Sequence, residues 1–138
     1  KPKNSNLDVK NTKIIEFLDK NILEQEKQLS KLYLNSHFNL FFTKAEAYGI
    51  SLVEASAHGV PSIVNKVGGV TSIIKENING KSFNINTPIK VIGNYIINLI
   101  KKKNNYNNLC NGAYYSYCKS LSWMCSSKKI NKLLKSSF

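Results

Sequence analysis

The chain has 138 residues, 42% of them hydrophobic, enough for one domain with a genuine core and too few for two ordinary domains. Its formal net charge is +12 and every basic residue is a lysine, so its surface attracts nucleic acid, anionic membrane or phosphorylated small molecules. Without arginine's planar fork, sequence-specific DNA recognition is not expected.

In chain order, residues 1–12 are polar with little periodicity and read as a loop or frayed edge. IIEFL at 14–18 is an apolar run that predicts a short strand. After it, EQEKQLSKLYLNS puts Leu29, Leu32, Tyr33 and Ser36 on one face of a helix. FNLFF at 38–42 is too short for a helix and predicts a strand buried on both faces. The loop TKAEAYG follows, then a helix from Ile50 to His58 that Gly59 terminates before the strand PSIVN.

A second glycine-bearing loop, KVGGVTS, leads into a short helix over 71–76 with Thr71 or Ser72 as its N-cap. NING at 77–80 is a turn and KSFNI a further strand. Pro88 then stands near the start of a helix with Ile92, Tyr95, Ile96, Leu99 and Ile100 on one face. The run Lys101-Lys102-Lys103 suits that helix's negative end. Two more helices are predicted, over 104–119 and 124–135. Strands alternating with helices predict an α/β fold, a parallel sheet with helices on both faces.

Cys110, Cys118 and Cys125 have no C-x-x-C spacing and read as small apolar residues. No signal peptide opens the chain, and its longest apolar run, VIGNYIINLI, is about half a membrane span. A cytoplasmic protein with reduced thiols is expected. The chain begins at Lys1 rather than at methionine, and the expectation is a piece of a longer polypeptide.

The stretch EAYGISLVEASAHG holds two glutamates, Glu46 and Glu54, where a strand hands over to a helix. In an open α/β sheet the ligand crevice lies at such handovers. Gly49 permits close approach to the backbone, and the free N–H groups of the first helical turn favour an anion such as a diphosphate. Carboxylates accept paired hydrogen bonds from vicinal hydroxyls, so the pair describes a nucleotide-sugar site. The plainer reading is a solvated loop carboxylate, Glu46, and a helix-dipole partner, Glu54.

Several motifs occur in a fixed order. They are L-x-x-L-Y at 29–33, the glutamate pair enclosing Tyr48-Gly49, E-A-x-A-x-G-x-P at 54–61, V-G-G at 67–69, and Asn79-Gly80 before a strand. Together with SLSWMCSSKKINKLL near the C-terminus, this set resembles the C-terminal donor-binding domain of group 1 glycosyltransferases. These are retaining enzymes of the GT-B architecture, built from two Rossmann-like domains. The resemblance covers about residues 13–136. It implies that Glu46 contacts hydroxyls of the transferred sugar and Glu54 the ribose. It further implies that backbone around Tyr48, Gly49, Ile50, Ser51 and Leu52 meets the sugar and diphosphate, and that Gly68 and Gly69 shape the neighbouring wall.

The implied donor is a UDP- or GDP-sugar, with no essential metal or other cofactor, and the implied partner is an N-terminal acceptor domain of the same polypeptide. The chain departs from the family in reading EAYG for the common E-G-F-G, Phe42-Thr43 for P-S, and Ser72 for a glutamate. The phosphate-binding Arg and Lys of the family lie upstream of the matched segment. The isolated chain is therefore expected to be inactive, as part of an enzyme of polysaccharide, glycolipid or glycoprotein synthesis.

Three alternatives stay open: a non-catalytic sugar-nucleotide binding module, a lysine-rich nucleic-acid-binding domain, and docking to anionic membrane through the lysine surface. Lys44 and Lys66 read as solvated loop lysines, His37 and His58 as non-catalytic, and Trp123, Tyr114, Tyr115 and Tyr117 as core or domain-closure residues.

Overall fold

In the computed structural model, which describes residues 9–136, three parallel strands form one sheet. These are β1 (Asn39–Phe41), β2 (Ser62–Asn65) and β3 (Gly80–Phe83), in that spatial order. Leu40 lies opposite Ile63 and Phe41 opposite Val64, while Val64 lies opposite Ser82. The six helices are α1 (Leu23–Leu34), α2 (Ile50–Ala57), α3 (Val70–Ile73), α4 (Ile89–Lys101), α5 (Lys103–Ser116) and α6 (Trp123–Ser136). A π-helical turn over Tyr117–Leu121 joins the last two.

β2 is central and all four of its residues are buried, as a strand covered on both faces requires. Val64 joins Leu52, Val70, Ile73 and Ile74 in the core, with Phe41, Val53, Val67 and Leu121 packed against it. Ile63 points to the other face and is equally buried. Burying a side chain of this size contributes roughly 1.5–3 kcal/mol, so this small cluster dominates the stability of the sheet. α2 packs against β1, β2 and α5, which fixes its N-terminus at the carboxyl end of β1.

The structure corrects five expectations. IIEFL at 14–18 is not a strand: Phe17 is 90% exposed and the segment has no ladder partner among the described residues. An apolar run becomes a strand only against a sheet edge, and among the described residues no strand lies beyond β1. For the same reason β1 is not buried on both faces, and Leu40 is 55% exposed.

Helix α3 starts one residue early, after Gly69. Thr71 and Ser72 do not cap it; their hydroxyls donate back to the Gly68 and Gly69 carbonyls at 3.3 and 2.6 Å, the local competition typical of these residues. The lysine run is divided. Lys101 closes α4 as expected, but Lys103 opens α5, where the dipole disfavours a cation. Of the residues read as core or domain-closure, Trp123, Tyr114 and Tyr115 are exposed, so the core half of that reading fails for them.

Candidate functional site

The loop between β1 and α2 is pinned from below. The Asn65 amide donates to the Thr43 carbonyl at 3.0 Å, and Thr43 Oγ1 donates to the Ala45 carbonyl at 2.7 Å. The Gly69 N–H donates to the Glu46 carbonyl at 3.1 Å. The two loops therefore form one wall. Only glycine fits at the seam, because a Cβ on Gly68 would overlap the Glu46 carbonyl and one on Gly69 the Ala47 carbonyl. Gly68 also has φ +44°.

Glu46 is half-buried on this wall, and its carboxylate accepts from the Tyr48 N–H at 3.2 Å. Gly49 then takes φ 95°, ψ 64° and opens α2 with no side-chain cap. First-turn amides of a helix lack intrahelical partners. Ile50 is exposed there, whereas Leu52 is core and its N–H donates to the Gly49 carbonyl at 3.0 Å. The predicted residues Glu46, Tyr48, Gly49, Gly68 and Gly69 thus form one neighbourhood, while Leu52 supports it from inside.

Glu54 has different company. Its carboxylate pairs with Lys20 and accepts from the Tyr33 hydroxyl at 3.3 Å. Burial, and then the charge of Glu54, push the Tyr33 phenol up to about 12. The Tyr33 ring stacks on His58 at 5.2 Å. His58 in turn sits between Ser30 Oγ at 2.9 Å and the Glu54 carbonyl at 2.8 Å, so Nδ1–H donates to the carbonyl and Nε2 accepts from the serine. A pocket of about 180 Å³ opens among Lys20, Ser30, Tyr33, Glu54 and His58. Sequence reasoning missed Lys20, Ser30 and His58 as partners of Glu54; only Tyr33, inside L-x-x-L-Y, carried a signal.

Two further clefts flank the site. One, of about 330 Å³, is lined by Tyr48, Ile50, Val53, Leu121, Trp123 and Ser126. The other, about 580 Å³, lies beyond β2 and β3 among Lys66, Thr71, Glu76, Lys81, Asn84 and Thr87 and touches neither glutamate. In it Glu76 is buried enough to raise its carboxyl, but Lys81 at 2.8 Å and Ser82 outweigh this and hold it below the usual range. Lys44 and Lys66 are exposed. Among the described residues no three His, Cys, Asp or Glu side chains gather into a metal site.

No curated protein sequence matches the chain. Among solved structures it is similar to Alr3699/HepE of Anabaena, in complex with UDP, at TM-score 0.64 and 18% identity, covering 85% of this chain and 36% of that one. It is similar too to a sucrose-phosphate synthase of Thermosynechococcus elongatus, at TM-score 0.59 and 19% identity, over 72% of this chain and 25% of that one. A third is the C-terminal domain of the group 1 glycosyltransferase LpcC of Francisella tularensis, at TM-score 0.58 and 17% identity, over 80% and 53%. The chain therefore spans about a third of the length of the first of these relatives. The fold is the Rossmann-like α/β fold of a GT-B C-terminal domain. Residues 9–115 match the family described as glycosyl transferases group 1, and the chain belongs to that family.

Proposed function

We propose that the chain is the donor-binding domain of a retaining glycosyltransferase, which moves a sugar from a nucleoside-diphosphate sugar to an acceptor. The observation that carries this reading is the seam where Gly68 and Gly69 press against the Glu46–Ala47 backbone. It holds a carboxylate at the rim of an uncapped helix start, an arrangement suited to a sugar hydroxyl beside a diphosphate. Anabaena Alr3699/HepE has also been solved with UDP-glucose, which supports a sugar nucleotide as the ligand class.

In this reading Glu46 accepts hydrogen bonds from the transferred sugar and Glu54 from the ribose. The first-turn amides of α2, from Ile50 and Ser51, take the diphosphate. When the bond between the anomeric carbon and the phosphate oxygen breaks, the departing diphosphate gains charge, which these dipoles and nearby lysines stabilise. The acceptor is held by a further domain of the same polypeptide; its hydroxyl oxygen forms the new bond to the anomeric carbon as its proton passes to the departing phosphate oxygen, so the isolated chain binds donor without transferring it. Donor binding needs no divalent metal. The domain works in the cytoplasm, in polysaccharide, glycolipid or glycoprotein synthesis.

A sugar-nucleotide binding module without transferase activity is the second reading. A thermal-shift panel of UDP, GDP, ADP and CMP tests binding; ligand at 100 times its Kd stabilises the fold by about 2.7 kcal/mol. No shift with any nucleotide contradicts both readings. Transfer by the polypeptide that carries the acceptor domain separates them.

A further inference from the structure

The Glu54 carboxylate is held from two sides that differ in firmness. Lys20, itself half exposed, meets Oε1, whereas Oε2 accepts from the Tyr33 hydroxyl at 3.3 Å. Tyr33 is half-buried, and its ring stacks on that of His58 with centroids 5.2 Å apart and an interplanar angle of 20°. The imidazole is fixed in turn at both nitrogens, by Ser30 Oγ at 2.9 Å and by the Glu54 carbonyl at 2.8 Å. That carbonyl is one of the last four of α2, which lack helical partners. His58, just past the end of α2, therefore folds back along the helix and sets a flat platform beside Tyr33.

A carboxylate free to rotate loses that freedom when it binds a ligand, and the loss weakens binding. A donor on one oxygen removes much of the freedom beforehand, provided the donor cannot swing away. Lysine, a point charge on a flexible four-carbon stem, is poor at this. A stacked tyrosine is better. Its hydroxyl also lies 3.5 Å from the Ser51 carbonyl, but the carboxylate is both nearer and charged, and charged acceptors form the stronger hydrogen bonds. Burial, and then Glu54, push the phenol up to about 12, so it remains a donor through the neutral range.

We propose that Tyr33 and His58 are positioning residues for the donor nucleotide: Tyr33 holds Oε2 so that the other edge of the Glu54 carboxylate faces the ribose hydroxyls, and His58 holds the Tyr33 ring. The inference rests on the reading of Glu54 as the ribose carboxylate. Neither Tyr33 nor His58 touches the ligand, so neither is catalytic. Contacts that only tied α1 to α2 would not distinguish one nucleotide from another, and that difference is measurable.

Calorimetry should use whichever of UDP, GDP and ADP stabilises the fold most, beside its 2′,3′-dideoxy form. The ratio of the two affinities isolates what the ribose hydroxyls supply, and it is insensitive to lost stability when read well below each variant's melting temperature. The parent should prefer the ribonucleotide, and Glu54→Gln should lose that preference. Tyr33→Phe should reduce it about threefold to tenfold for want of one hydrogen bond, while the dideoxy form binds as it does to the parent. His58→Ala should reduce it about threefold, and His58→Phe, which restores a ring for stacking, should recover most of it. In a Glu54→Gln background, Tyr33→Phe should change the preference no further. A Tyr33→Phe protein that keeps the whole preference, or that weakens both forms equally, overturns this inference while leaving Glu54 on the ribose. Equal losses in the two His58 variants overturn it too. A parent that binds both forms alike, or neither, removes Glu54 from the ribose and this inference with it.

Discussion

The Tyr33 hydroxyl donates to the Glu54 carboxylate across 3.3 Å, and this contact ties α1 to α2. Because α1 has no buried residue, it is held less by a core than by a polar chain: Tyr33 on Glu54, Tyr33 stacked on His58, and Ser30 on His58. The same chain orients the carboxylate proposed to meet ribose. A group that serves both the fold and the ligand makes its two roles separable by experiment.

The first test is alkaline unfolding. Burial, aided by Glu54, raises the Tyr33 phenol to about 12, above its unfolded value. Below about pH 10 the phenol is neutral in both states and its contribution is intact. As pH rises toward 12 the unfolded chain loses its proton first, so stability falls, by about 1–2 kcal/mol after allowing for partial exposure. Tyr33→Phe lacks that loss. It should be about 1 kcal/mol less stable than the parent near pH 8 for want of one hydrogen bond, and the gap should close by pH 11.5. Urea unfolding at both pH values measures it; an unchanged gap means the phenol is not held as described.

A second test compares two glycines. Gly69→Ala would drive a methyl into the Ala47 carbonyl, so the wall must part, at about 1–3 kcal/mol. Gly93 lies within α4 with nothing within 4 Å of an added Cβ. Gly93→Ala should therefore stabilise the protein by about 0.5–1 kcal/mol. A Gly69→Ala melting temperature that stays level or rises would contradict the seam.

How much of this was legible beforehand depended on where the reasons lay. α2, β2 and the stop at Gly59 were readable because helix period, apolar run and glycine act locally; Gly59 indeed has φ 70°. IIEFL was misread because a strand needs a neighbour, and the apolar run alone cannot say that β1 is the sheet's edge. The α3 cap was misread because Thr71 and Ser72 bond backward as readily as they cap. At the site, the glycines and Glu46 were visible as a motif. The Lys20–Glu54 pair spans 34 positions of sequence, and no periodicity reports such a contact.

The third test probes a residue that the sequence marked only as part of a turn. Asn79 is fully buried, accepts from the Lys75 N–H at 2.7 Å and donates to the Ile73 carbonyl at 2.9 Å. It closes the turn between α3 and β3 by satisfying two backbone groups at once. Asn79→Leu strands both, and each buried unsatisfied group costs about 1–3 kcal/mol. A loss of about 2–4 kcal/mol in denaturant unfolding is expected. A loss below about 1 kcal/mol would show that these two hydrogen bonds do not hold the turn.

The last test asks whether the two glutamates fail differently. Glu54→Gln should weaken binding of a plain nucleoside diphosphate by about 1.5–3 kcal/mol, roughly tenfold to more than a hundredfold, if its charge receives the ribose hydroxyls. Glu46→Gln should leave that binding nearly intact and instead erase the extra affinity of the nucleotide sugar. Lys20 adds a control. Its ion pair with Glu54 is partly exposed, so Lys20→Gln should change stability by no more than about 1 kcal/mol. If ribose must displace Lys20, this variant should bind the diphosphate up to about fivefold more tightly; if the ammonium stays and helps to hold the ligand, it should bind more weakly. Glutamine preserves size at both glutamates, so a shifted melting temperature without ligand would expose a structural role, which the Tyr33 contact makes most plausible for Glu54. Calorimetry of each variant against the diphosphate and the nucleotide sugar reads all of this. Small, equal effects at Glu46 and Glu54 for both ligands would leave Glu54 as a tether for α1 and Glu46 as a loop carboxylate, and would remove the division of roles on which the proposed donor site is built.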